Sequence, residues 1–180
     1  TKATAKNAVE NHKYSSNGFC TVCEEYEPAV LSGSTYRISN GGQMFWFAAL
    51  INGDHTHAEF SSQNRAAAGV LTKDIDLENR EWSAITNFSG SFDGQNHTIT
   101  KLQITKTASY IGLFGSSSGT IRHFTLEGEI LLSGGDAQRI GGVLGSAGGG
   151  TISNVTSAVQ IRNTDSAYKH VGGVVGGVDN

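Results

Sequence analysis

Gly112-Leu113-Phe114-Gly115, Gly142-Val143-Leu144-Gly145 and Gly173-Val174-Val175-Gly176 are three copies of one short unit, spaced 30 and 31 residues apart. The match runs on beyond them. Gly119-Thr120-Ile121-Arg122-His123-Phe124-Thr125 aligns with Gly150-Thr151-Ile152-Ser153-Asn154-Val155-Thr156, and Ile130 then falls opposite Ile161. A weaker copy lies upstream, where Thr98-Ile99 precedes Leu102 and Ile104 as Thr120-Ile121 precedes Phe124 and Leu126. Self-similarity at a fixed period marks a repeat architecture. Inside each copy, Ile, Leu and Val punctuate short runs separated by Gly, Ser, Asn and Asp, the residues that turn a chain. No segment after residue 70 carries a helical period of apolar residues. Short strands that recur without crossover helices predict an all-β fold, a parallel β-helix whose coils stack their inward side chains.

Composition agrees. The chain has 180 residues with 24 Gly, one Pro and 16% charged residues, where ordinary chains carry about a quarter. Glycine lets neighbouring coils approach closely. Proline is scarce because internal strands need every N–H. With 37% apolar residues and a net charge of -3, the chain lacks the signature of disorder. A pI of 6.0 supplies no electrostatic footprint for nucleic acid. No apolar run is long enough to span a bilayer, so membrane insertion is not expected. The chain starts at Thr1, its only methionine is Met44, and it stops in an apolar, strand-like run. These features read as a piece of a larger protein.

Three regions follow. Residues 1–35 form an N-terminal extension, 36–69 a helix and loop, and 70–180 the coils. The helix runs from Gly41 to Asn52, with Ser39 or Asn40 as N-cap and Gly53 as the glycine after its end. It is apolar almost all round, so it must be covered on most sides, and its expected task is to cap the open end of the β-helix. Asp54–Ala68 reads as a polar loop. Val70-Leu71 and Ile75-Leu77 begin the coils, and Trp82 and Ile85 carry the core onward.

Tyr36-Arg37-Ile38-Ser39-Asn40, Phe45-Trp46-Phe47-Ala48-Ala49-Leu50-Ile51-Asn52-Gly53 and Val70-Leu71-Thr72-Lys73-Asp74-Ile75-Asp76-Leu77 resemble the opening of bacterial cell-surface modules built from GLUG motifs. So do Phe88-Ser89-Gly90-Ser91-Phe92-Asp93-Gly94-Gln95-Asn96-His97-Thr98-Ile99 and Ile111-Gly112-Leu113-Phe114-Gly115. The resemblance covers about residues 36 to 178. It implies a right-handed parallel β-helix in a secreted, multidomain, adhesin-like protein of a Gram-positive bacterium. It implies no ligand. Gly41-Gly42 departs from the family, which more often has helix-favouring residues there.

Of the constellations that could carry chemistry, His12 with Cys20-Thr21-Val22-Cys23 is the sharpest. A Cys-x-x-Cys turn can aim two thiolates at one tetrahedral Zn²⁺, and His12 could supply a third ligand. The segment is similar to small Cys/His knuckles that precede such modules. Their pattern has a further Cys where this chain has Glu10. A disulfide and two free thiols are the alternatives, and any zinc would be structural. His55, His57 and Glu59 alternate and would share a face of an extended chain as a second ligand set, or simply decorate a polar loop.

A polysaccharide-degrading enzyme would need several acids stacked on adjacent coils. Asp74 and Asp76 flank Ile75, and Asp93 sits in a glycine-rich turn. Glu127 and Glu129 stand opposite Ala158 and Gln160, so that stack does not persist. No catalytic residue and no phosphate loop is identified. Asn87, Asn96 and Asn154 open formal glycosylation sequons but read as turn asparagines. Trp82, Tyr110 and Tyr168 could line a sugar-binding face, although Trp82 reads as core. The expectation is a non-catalytic, extracellular stalk or adhesive module, whose partners would be glycans, proteins or further domains of its own polypeptide. The alternative is a polysaccharide-active enzyme fragment.

Overall fold

A computed structural model describes residues 12–133, 138–163 and 170–179. It is a β-solenoid of about four turns with one short helix. The strands are β1 (Val30–Ser32), β2 (Thr35–Ile38), β3 (Ala68–Leu71), β4 (Ile75–Asp76), β5 (Ser91–Ile104), β6 (Tyr110–Ile111) and β7 (Phe114–Ser117), continuing with β8 (Thr120–Leu132), β9 (Arg139–Gly141), β10 (Leu144–Ala147), β11 (Thr151–Asn163), β12 (His170–Gly172) and β13 (Val175–Val178). The helix α1 (Gly41–Asn52) lies between β2 and β3. One sheet runs β1-β2-β3-β5-β8-β11 with β4 beside β5, and two others stack β7-β10-β13 and β6-β9-β12. Among the described strands every pairing is parallel except the β1–β2 hairpin, which puts a short antiparallel strand over the first edge; isolated antiparallel bridges join Tyr14 to Cys20 and Phe19 to Tyr26.

The repeat sets the register. Thr120 pairs with Thr151, Ile121 with Ile152 and Ile130 with Ile161, as the alignment of the two copies requires. The upstream copy sits elsewhere. Ile99 pairs with Leu126, not Ile121, and Phe92 takes the place opposite Ile121. Two irregularities in β5, between Asp93 and His97 and between Ile99 and Leu102, shift its register against β8. Asp93 therefore lies within β5 and not in a turn. Asn87, Asn96 and Asn154 adopt positive φ (53°, 63° and 51°), the conformation that turn asparagines tolerate best.

Inward residues form one core: Leu71, Ile75, Phe92, Ile99, Phe114, Ile121, Leu126, Ile130 and Leu144 are all buried. In the last coil the same positions are less covered. Val174, Val175, Ile152 and Ile161 are only partly buried, and Val171 is 56% exposed where its partner Ile140 is fully buried.

The helix forms where the sequence places it. Asn40 accepts the N–H of Gln43, and Gly53 closes the last turn at φ 73°, donating to the Ala49 carbonyl. Gly41 to Ile51 are buried without exception, as an all-round apolar helix requires. Phe47 packs on Phe92 and Phe45 on Trp82, while the 54–67 loop covers the outside, with Trp46 Nε1 donating to the Glu59 carbonyl. The helix is a lid on the first coil.

Candidate metal centre at the capped end

His12, Cys20 and Cys23 come together. Their ligand atoms all lie within 4.8 Å of one another, and they are the one such group of three or more among the described residues. Both cysteines are free, with Cys23 Sγ 3.2 Å from Cys20 Sγ and 3.1 Å from His12 Nδ1. The segment folds back on itself. Cys20 N–H donates to the Glu25 carbonyl and Thr21 N–H to the Lys13 carbonyl, which turns the two sulfurs to one side.

Electrostatics favour a charged sulfur. The backbone N–H of Val22 contributes most to holding the Cys20 thiol down at about 6, against the cost of burial, with Cys23 and His12 adding to it. His12 is raised, chiefly by its hydrogen bonding to Cys20. Cys23 moves up, because Cys20 and burial outweigh the N–H of Glu25. A thiolate beside an imidazole and a second thiol is a donor set that suits zinc. Three donors leave one tetrahedral position to fill, and Glu10 lies outside the described residues.

The knuckle is built into the cap. Asn17 Oδ1 accepts the N–H of Gly41 at 2.9 Å, and its carbonyl accepts the N–H of Gly42 at 2.8 Å. Its amide donates to the Asp76 carbonyl and to Glu78. Asn17 thus satisfies two of the N–H groups that a helix start leaves unpaired. Glu27 receives Asn40 and Gln43 side chains at 2.7 and 3.0 Å, adding a carboxylate near the same terminus. Phe19 stacks edge-on against Tyr26 and Phe45, with the Arg80 guanidinium 3.9 Å from its ring centre.

The unusual Gly41-Gly42 pair belongs to this junction. A Cβ on Gly42 would overlap the carbonyl of Gly18, and one on Gly41 would overlap the carbonyl of Asp76. Glycine normally weakens a helix by about 1 kcal/mol relative to alanine. Here it permits the knuckle to lie against the helix. Gly42→Ala is therefore expected to lower stability by roughly 1–2 kcal/mol despite the better helix former, since the overlap outweighs the propensity gain. Urea titration of the variant checks this; a rise in stability would contradict the docking.

The other candidates do not converge. His55 stacks on Phe60 with ring centres 4.0 Å apart. His57 instead lies beside Tyr26, its carbonyl accepting the Tyr26 N–H, and Glu59 gives its carbonyl to Trp46. Asp74 accepts the Thr98 N–H and His97, Asp76 pairs with Lys101, and Asp93 accepts Arg122 and His123. Each acid is held by its own partners; Asp74 is kept below the usual carboxylate range mainly by the Thr98 N–H. Trp82 is 2% exposed with Nε1 donating to the Leu113 carbonyl. Tyr110 is half-buried, and Tyr168 lies outside the described residues. The roles of Asn17 and Glu27 had no local sequence signal.

No family model matches the chain, and no solved structure matches it. Among curated proteins, halomucin of Haloquadratum walsbyi is 34% identical over 92 residues, covering 49% of this chain and 1% of halomucin. The chain thus corresponds to a very small part of that protein. The likeness to halomucin extends over just under half of this β-solenoid.

Proposed function

We propose that the chain is a non-catalytic module of a large secreted or cell-surface protein, serving as a stalk that also offers a binding face. The observation that carries the reading is the solenoid itself. Its side is a ladder of parallel strands, β3-β5-β8-β11, in unbroken register between β8 and β11, and such a ladder lengthens by adding coils and presents a repeating surface. The partial likeness to halomucin supports an extracellular setting. The separate pairing of Asp74, Asp76 and Asp93 supports a binding rather than a hydrolytic role. Antibodies raised against the module are expected to label intact, unpermeabilised source cells or to detect it in the medium. Labelling only after lysis would contradict the proposal.

Within this reading, His12, Cys20 and Cys23 hold one structural zinc ion that fastens the knuckle to the cap. Binding to the folded state stabilises it by mass action, about 2.7 kcal/mol when free metal exceeds the dissociation constant a hundredfold. One metal per chain is expected by elemental analysis, with a higher melting temperature than the chelator-treated protein. Cys20→Ser with Cys23→Ser should abolish both. Two thiols that titrate freely, with no metal bound, would contradict it.

A further inference from the structure

An open groove of ≈ 770 Å³ runs across the strands, lined by Asn79, Thr100, Lys101, Gln103, Glu127 and Glu129 and ending at Gln160. Its wall is a column of equivalent positions. Glu81 bridges Gln103, Gln103 pairs with Glu129, and Glu129 with Gln160, one residue from each of four successive strand segments. The opposite side carries Asn79, Lys101 and Glu127. The bend between them is fixed at Gly128, where a Cβ would overlap the carbonyl of Leu102.

We infer that this groove binds a neutral, linear, hydroxyl-rich polysaccharide lying along the solenoid axis. Adjacent strands are about 4.8 Å apart. A column of amides and carboxylates therefore repeats with a step close to the length of one pyranose ring. Successive sugars meet an amide and a carboxylate in alternation, which suits a chain whose rings turn over from one unit to the next. Amides accept from and donate to vicinal hydroxyls, and carboxylates accept from them. Among the described residues the side chains of Gln103, Glu127 and Glu129 hold no internal hydrogen bond, while Gln160 Oε1 accepts Arg162. Glu81 is used differently, since its carboxylate holds Thr105 and Lys106.

Charge selects the class. Lys101 is paired with Asp76 at 2.6 Å, so Glu127 and Glu129 leave the groove net negative. That repels uronic-acid chains and phosphodiesters. Within the groove β5 and β8 offer a peptide strand no edge, because both are hydrogen-bonded to neighbours on both sides; the one open edge there among the described strands is the far side of β11.

The inference rests on the surface-module reading, and its test is independent of where the protein resides. The isolated chain would be titrated by NMR with β-1,4-linked glucose and N-acetylglucosamine oligomers of two to six units, and with hexagalacturonate. Shifts are expected at Asn79, Thr100–Gln103, Glu127–Glu129 and Gln160, with affinity rising about tenfold or more from dimer to hexamer. Hexagalacturonate should bind at least tenfold more weakly. Glu129→Ala, a surface change, should weaken the hexamer five- to tenfold with an unchanged melting temperature, and Glu129→Gln should recover most of it. Absence of binding, shifts elsewhere, length-independent affinity or indifference to Glu129→Ala would each overturn the inference. A negative result together with surface labelling of cells would leave the stalk role standing and remove only the groove.

Discussion

Trp82→Ala should lower the stability of this protein by about 3–5 kcal/mol, the range for removing a fully buried aromatic side chain. Trp82 is 2% exposed and stands where the cap meets the coils. Its ring packs edge-on against Phe45 of α1 at 4.9 Å, its Nε1 donates to Leu113, and its backbone N–H donates to Gln103. Truncation opens a cavity and removes one of the two hydrogen bonds to the Leu113 carbonyl, which keeps the Ile85 N–H, so the hydrogen-bond loss adds at most about 1 kcal/mol. For a chain of this size the melting temperature should fall by on the order of 10 °C. Trp82→Phe separates the two contributions, since it keeps most of the packing and loses the hydrogen bond. Calorimetry of both variants should rank them wild type, Phe, Ala. Equal loss from Phe and Ala would mean that the hydrogen bond, and not the packing, dominates.

Gly142→Ala is the second large effect, and Gly173→Ala is its internal control. The two glycines are equivalent in the repeat. A Cβ on Gly142 would overlap both the Gly173 carbonyl of the next coil and Ser157 Oγ, whereas a Cβ on Gly173 meets nothing within 4 Å among the described residues. Neither has a positive φ, so backbone conformation does not separate them. Forcing a methyl between stacked backbones costs about 1–3 kcal/mol, and more where the obstacle is a carbonyl that cannot rotate away. At Gly173 the same change should be neutral, or stabilising by up to about 1 kcal/mol through the unfolded chain. Matched urea titrations check the contrast. Similar effects at both positions would mean that stacking does not explain the glycine at 142.

Much of this was legible in the sequence, and the failures have physical causes. The period of the Gly-x-x-Gly units gave the pairing of β8 with β11 residue by residue, because no irregularity intervenes between those copies. It misplaced the upstream copy by matching Thr98-Ile99 to Thr120-Ile121, a place that Ser91-Phe92 occupy, and two register irregularities in β5 leave no single offset by which the upstream strand follows β8. The helix was legible at both ends, since Asn40 and Gly53 are local signals. His12, Cys20 and Cys23 were legible because their contacts are close in sequence. The clasp that attaches them was not, for Asn17 reaches Gly41 and Glu78 across long stretches of chain. Its trace was visible only as Gly41-Gly42, glycines that a free helix would not choose. The groove required the register of Gln103, Glu129 and Gln160, which spans a bulge and three strands.

Native-state hydrogen exchange tests the solenoid most directly. β8 is hydrogen-bonded to β5 on one side and β11 on the other, whereas β11 has β8 alone among the described strands. Amides of Thr120–Leu132 should exchange only through global unfolding, while alternate amides of Thr151–Asn163, those facing away from β8, should exchange orders of magnitude faster. Exchange that is uniform across both strands, or slower in β11 than in β8, would contradict the stacked-coil account.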